Sequence, residues 1–254
     1  MKLIIPIHYD PEHTKNYYSG YNTPFLREKL LESSNDYCMY TYHRIAFLLG
    51  EEKRHNCQLD HSVEKSTYKG HNLNPLHCKF NIACVGIHFN LSFKKKFKDI
   101  DDFKNDFTCD SSYDCKCICN ELQEKFNDYS EKNNIILMPN SKYPFKDSLI
   151  FNLRTLKFEV KLTFPKLELL ENHIIEMELN GNNLIRKSIL KFCGKYTKIE
   201  DPLYDVKFEL SEPDNFRSLI LENFFKYLST KNNSEIKSIC SVILNFNEDI
   251  PLNI

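Results

Sequence analysis

The sequence predicts an α+β fold, and three observations carry that prediction. The stretch from Tyr37 to Leu49 is aromatic and β-rich, and a second one from Leu149 to Phe164 alternates apolar with polar residues. After Asn180 the apolar residues recur instead at helical spacing, so the C-terminal half is expected to be mainly helical. Between these regions, Cys38 to Cys109 holds cysteines, an acid beside a histidine and an asparagine in an order suited to a metal-centred core.

Composition sets the outer limits. At 254 residues, with 41% hydrophobic and 27% charged, the chain can bury a core without staples and falls in no fibrous or disordered class. Lys+Arg 34 against Asp+Glu 35 gives a formal net charge of -1, so no global field draws it to nucleic acid or an anionic membrane; any polyanion must be bound locally. The 10 cysteines sit in a chain longer than small disulfide scaffolds, which favours metal-bound or buried thiols. Met1-Lys-Leu-Ile-Ile-Pro-Ile7 is too short an apolar run for a signal peptide, and nothing approaches a membrane span. A cytoplasmic location with no membrane contact is expected.

Taken in order, residues 1 to 22 lack a period and predict an extended lead-in. Thr23 and Pro24 are the cap and first residue of a helix through Phe25, Leu26, Leu30 and Leu31, ending near Ser33-Ser34-Asn35-Asp36. Tyr37 to Leu49 then delivers Cys38 on a hairpin, and the polar residues Gly50 to Asn56 predict a turn. The return through Gln58-Leu59-Asp60-His61 leads to an irregular loop. Phe93 to Lys98 is a lysine run whose Lys94, Lys95 and Lys96 are candidates for phosphate contact, set against the simpler reading of a solvated face balanced by Asp99, Asp101 and Asp102. Ile118, Leu122, Phe126 and Tyr129 predict a helix. Ile135 to Pro144 marks a boundary, dividing the chain into 1–134 and 135–254. Beyond it comes a hairpin turning near Arg154-Thr155, with Leu156, Phe158, Val160, Leu162 and Phe164 alternating, then three helices. Their stripes are Ile185, Ile189, Phe192 and Tyr196; Phe216, Leu219, Ile220, Phe224, Tyr227 and Leu228; and Ile236, Ile239, Cys240 and Ile243.

The chemistry is expected at four anchors: Cys38-Met-Tyr-Thr41-Tyr-His-Arg-Ile45, Leu59-Asp60-His61, Asn81-Ile-Ala-Cys84, and Thr108-Cys109-Asp110. Their arrangement reads as a treble-clef metal fold interrupted by an insertion. Asp60 and Asp110 are candidate oxygen ligands for one hard divalent cation, Mg²⁺ or Mn²⁺. His61 is then free to deprotonate water, with Asn81 orienting its imidazole. Asp110 can also cap a helix. Cys38, Cys84 and Cys109 are candidate ligands of a structural Zn²⁺. Thr41 occupies the position of Cys38's close partner, and the fourth ligand stays open among His43, His77, Cys78, Cys115, Cys117 and Cys119.

In that order the anchors resemble an HNH nuclease, a ββα-metal fold. More narrowly, the chain resembles the HNH proteins of the Septu and retron-Septu antiphage systems, the PtuB family. The likeness runs from Pro6-Ile7 and Pro11-Glu12, through Phe25 to Leu31, Tyr37 to Ile45, Leu59 to Ser66 and Asn81 to Gly86, to Thr108-Cys109-Asp110 and Ile175 to Asn180 with Leu184 and Arg186. The chain departs from the family at Thr41, at Thr108, where histidine is usual, and at Tyr113, where lysine is usual. The resemblance implies a nuclease region over 1–134 with DNA or RNA as substrate. It also implies an ATPase partner of PtuA type and a role in antiviral defence; residues 135–254 are expected to brace the nuclease region and dock that partner. The rival expectation is a catalytically inactive scaffold serving as an adaptor for that ATPase. A zinc or redox sensor built on Cys109, Cys115, Cys117 and Cys119 is a third.

Overall fold

Proline lacks a backbone N–H and so suits the first turn of a helix. In the computed structural model of the protein, which describes residues 2–4, 24–38, 40–49, 52–61, 82–87, 149–163, 167–181, 183–212 and 216–248, Pro24 opens α1 (Pro24–Ser33). The helix stops where the polar cluster predicts. Asn35 and Asp36 take φ of 51° and 63°, a left-handed conformation that short polar side chains tolerate. The Asp36 N–H turns back to the Leu31 carbonyl at 2.9 Å, satisfying an orphan acceptor of the last turn.

The chain then makes a tight bridge, with Tyr37 opposite Arg44, and enters β2 (Ala46–Leu49), which pairs antiparallel with β3 (Glu52–His55). Here the structure corrects the sequence reading, because Glu52 to His55, expected within a turn, form a strand. All four side chains are exposed, so the strand needs no apolar pattern. It is held by its ladder and by ion pairs Lys53 to Asp36 at 2.7 Å and Arg54 to Glu52 at 2.6 Å. Next, β4 (Cys57–His61) pairs antiparallel with β5 (Ile82–Gly86).

A three-stranded antiparallel sheet ordered β1-β6-β7 underlies the second half, built from β1 (Lys2–Ile4), β6 (Leu149–Asn152) and β7 (Lys157–Val160). Its central strand is buried at Leu149, Ile150 and Phe151. The hairpin turns where Arg154-Thr155 predicts, with the Arg154 N–H donating to Asn152 Oδ1 at 3.0 Å and Leu153 and Leu156 plugged into the core. The predicted alternation stops short. β7 ends at Val160, and Leu162 is exposed.

The free edge of β7 is closed by a side chain. Asn180 Oδ1 accepts from the Phe158 N–H at 2.6 Å and Asn180 Nδ2 donates to the Phe158 carbonyl at 3.1 Å, so one amide mimics a ladder partner.

Five helices follow: α2 (Leu167–Glu176), α3 (Asn183–Tyr196), α4 (Pro202–Ser211), α5 (Leu219–Ser229) and α6 (Asn233–Asn245). Three were expected, and α2 and α4 are additional. A start signal for α4 is present in Asp201-Pro202, where Asp201 Oδ1 accepts from the Tyr204 N–H at 3.1 Å. α6 begins with a reciprocal capping box between Asn232 and Glu235. The predicted stripes are core, as Ile189, Tyr196, Ile220, Phe224, Ile236, Cys240 and Ile243 are all fully buried. Phe225 sits at their centre, edge-on to Phe192 at 4.7 Å and to Tyr196 at 6.2 Å.

With these helices the described residues have mixed α and β structure, comprising six helices and small antiparallel sheets. The rest of the lead-in and the predicted Ile118 to Tyr129 helix lie outside the described residues. Across the 134/135 boundary the described parts are tied together: β1 pairs with β6, and the turn after Cys38 is bonded to the residues leading into α5. No described helix is long and apolar enough to cross a membrane.

Candidate functional site

The turn after Cys38 is the first piece of the site. The Cys38 N–H donates to the His43 carbonyl at 2.7 Å, and the Tyr42 N–H donates to the Cys38 carbonyl at 2.8 Å. Tyr42 takes φ of 60° to close it. The C-terminal half clamps this turn from outside: the Leu219 N–H donates to the Tyr42 carbonyl at 3.0 Å and the Arg44 N–H to the Arg217 carbonyl at 2.9 Å.

Side chains reinforce the clamp. Tyr37 donates its hydroxyl hydrogen bond to Glu222, Lys226 donates to the other oxygen of Glu222 at 2.5 Å, and Arg44 donates to the Phe216 carbonyl at 2.9 Å and lies over the Tyr37 ring. Burial pushes the Glu222 carboxyl up, but hydrogen bonds from Lys226 and Tyr37 and the charges of Lys226 and Arg44 outweigh it and hold the group below its ordinary value. Burial, then the bond to Glu222, drives Tyr37 far above the ordinary phenol value. His173 of α2 reaches the same turn through a hydrogen bond with the Tyr40 backbone.

β4 and β5 are the second piece. Asp60 pairs with Ala83, and His61, the last residue of β4, pairs with Ile82. Asp60 is 2% exposed, so the acid of the acid–histidine dipeptide is held inside the protein on a hydrogen-bonded strand. Leu59 lies opposite Cys84 and Cys57 opposite Gly86. Strand side chains alternate between faces, so Cys57 and Cys84 share one face and are diagonal neighbours.

The structure thus places the predicted residues unevenly. Asp60 and the backbone of His61 stand together at the end of β4, and Cys38 and Cys84 are both fully buried. His43, one open candidate for the fourth zinc ligand, is half-buried beside Ser218, where burial lowers its pKa. Asn81, Asp110, Cys109, His77, Cys78, Cys115, Cys117, Cys119 and the lysines Lys94, Lys95 and Lys96 lie outside the described residues.

Among the described residues no three His, Cys, Asp or Glu side chains gather closely enough to hold a metal ion. The described donor that suits Mg²⁺ or Mn²⁺ is the Asp60 carboxylate, since hard cations take oxygen ligands. For zinc the donors are thiols, and Cys84 is engaged by a residue the sequence reading passed over: its thiol is hydrogen-bonded to that of Cys57.

Arg27 of α1 lies against this pair. Its charge acts on both sulfurs, its carbonyl accepts a hydrogen bond from the Cys84 thiol at 3.9 Å and its guanidinium Nη1 is 3.3 Å from His55 Nε2. A hydrogen bond with Cys84 and then the Arg27 charge draw the Cys57 pKa down against the opposing effect of burial. The same bond, burial and the neighbouring Cys57 push Cys84 up. A signal for Cys57 existed in its position, two residues before Leu59 and so on the same strand face. No family model, curated protein or solved structure matches the chain.

Proposed function

We propose that the protein is a metal-dependent endonuclease of HNH type, with a treble-clef region that hydrolyses phosphodiester bonds of DNA or RNA, and that it is the effector of an antiphage system working beside an ATPase. The observation that supports this reading is the β4–β5 pair, in which Asp60 is buried and His61 closes the strand beside it. The β4–β5 ladder fixes the backbone at both positions, which limits the freedom lost on meeting substrate.

His61 takes the proton from the attacking water. Asn81 holds the imidazole in the tautomer that leaves one ring nitrogen free to accept it. Asp60 and Asp110 would hold the divalent cation, which supplies charge to the phosphate oxygens and to the leaving oxygen. With a net charge of -1, the local lysines or a basic partner must supply the remaining phosphate attraction.

The test is cleavage of plasmid, single-stranded DNA and total RNA by the parent and by His61→Ala. Each is assayed with Mg²⁺, Mn²⁺ or EDTA, with and without the ATPase. Loss of a general base costs about 10²- to 10⁴-fold, so the variant should leave the substrate intact over the time in which the parent consumes it. A variant as fast as the parent would refute the assignment. A parent that never cuts yet binds the ATPase would establish the adaptor instead.

A further inference from the structure

Among the described helices, α3 alone has no acidic residue. Each of the others carries at least one, as Glu28, Glu171, Asp205, Glu222 and Glu235 show, whereas Asn183 to Tyr196 holds Arg186, Lys187, Lys191 and Lys195 and no acid. An acid four residues from a lysine supports a helix, and a second lysine there opposes it. Lys187, Lys191 and Lys195, at successive i, i+4 positions, therefore work against the helix that carries them. Acids gather on the neighbouring helix instead, at Glu200, Asp201, Asp205, Glu209 and Glu212 over α4 and its flanks.

The lysines form one exposed row. Ile185, Ile189, Cys193 and Tyr196 turn the opposite face of α3 into the core, where the helix packs on α6 and α5, while Lys187, Lys191, Lys195 and Lys198 are exposed. Lys198 continues the row past the end of the helix, because its N–H donates to the Lys195 carbonyl at 3.0 Å and keeps the helical path. Lys195 is ion-paired with Asp205. Lys187, Lys191 and Lys198 have no ion-pair partner among the described residues. Gly194 lies between Lys191 and Lys198 on the same side, and a Cβ there would meet no atom within 4 Å. Crowding does not demand this glycine, and it leaves the surface beside the row bare to a ligand lying along it.

We propose that Lys187, Lys191 and Lys198 form a phosphate track for duplex nucleic acid, bound without regard to sequence. A row of like charges along a straight line is met by a polyanion whose own charges repeat along a line. From Lys187 to Lys198 the row spans about 17 Å of helix axis, and the same length of duplex presents about ten negative charges, enough to meet every lysine. Lysine neutralises a phosphate as a point charge and so fixes position without reading a base edge. A single strand is held in addition by aromatic side chains on which its bases stack. The row offers none, since Phe192 packs edge-on to Phe225 and Tyr196 is buried, which favours a duplex. The choice of nucleic acid over another polyanion rests on the proposed hydrolysis, and the track supplies from the C-terminal half the phosphate attraction that a net charge of -1 does not.

The experiment measures binding of the full chain to short DNA duplexes of two unrelated sequences, in EDTA, over a range of salt concentrations. Each phosphate contact removed lowers the magnitude of the log–log salt slope by about 0.9, so Lys187→Gln, Lys191→Gln and Lys198→Gln together should lower it by about 2.7 on both sequences. Gln matches Lys in helix propensity, so α3 should stay folded, and the three Lys→Arg substitutions should keep the parent's slope. Lys157→Gln, Lys161→Gln and Lys207→Gln remove the same charge from exposed positions elsewhere and should leave the slope unchanged. An unaltered slope in the α3 variant would overturn the proposal, as would an equal loss in the scattered one or a parent that binds no duplex. So would a parent that binds single-stranded DNA, polyglutamate or phosphatidylserine vesicles more tightly than duplex. Binding is read without cleavage, so the track and the nuclease fail separately. A parent that binds through α3 but never cuts with Mg²⁺ or Mn²⁺ would refute the hydrolysis alone, and one that cuts while the α3 variant binds as well as the parent would refute the track alone.

Discussion

His173 offers a test of how the two halves are coupled. Its side chain is 4% exposed on α2, hydrogen-bonded to the Tyr40 backbone, and burial lowers its pKa from 6.5 to about 4. Nδ1 has no hydrogen-bond partner among the described residues, so none of them compensates a second proton. Between pH 6.5 and about 4 the unfolded chain binds this proton and the folded one does not. The stabilisation is therefore complete above pH 6.5, falls as pH drops, and is exhausted below about 4. The pKa difference corresponds to about 3 kcal/mol in total, of which about 2.5 kcal/mol is lost by pH 4.5. The assay is urea unfolding of the parent and of His173→Gln, which keeps a donor for Tyr40 but does not titrate. Because His43, His55 and the carboxylates contribute to both proteins, the difference between them isolates His173. The parent should lose about 2.5 kcal/mol more than the variant between pH 7 and pH 4.5. A parent-to-variant difference that stays constant over that range would refute a buried, neutral His173.

Two further perturbations probe the clamps. Tyr37→Phe strips the donor from Glu222, a buried carboxylate. It should cost about 1–3 kcal/mol in chemical denaturation, and an unchanged midpoint would mean that water replaces the hydroxyl freely. Asn180→Ala removes both bonds to Phe158 and opens the edge of β7. It should cost about 1–3 kcal/mol and speed amide exchange at Phe158, whereas slow exchange there would show the edge is closed by something else.

Legibility in the sequence followed the range of the interactions. Local signals were read correctly: Pro24 and Asn35-Asp36 bracket α1, Arg154-Thr155 marks the hairpin turn, and the stripes from Ile185 to Ile243 are core. β3 was missed because Glu52, Lys53, Arg54 and His55 form a strand through their partner β2, and an exposed ribbon leaves no hydrophobic period to read. α2 was missed because Leu162 and Phe164 extended the apparent alternation past Val160, where the ladder ends. At the site, the Asp60-His61 dipeptide was visible as a word. The Cys57–Cys84 contact was not, because it depends on the register of two strands separated by a long loop.

That register also bears on how the proposed reaction would be governed. The Cys38 turn is bonded to Arg217 and Leu219, its Tyr37 to Glu222, and its Tyr40 to His173, so its conformation depends on α2 and α5 in the C-terminal half. Arg27 of α1 contacts the β4–β5 pair at Cys84. A partner that shifted α5 would act on the Cys38 turn through backbone hydrogen bonds, and through Cys38 on Cys84 of β5, which lies within its electrostatic reach.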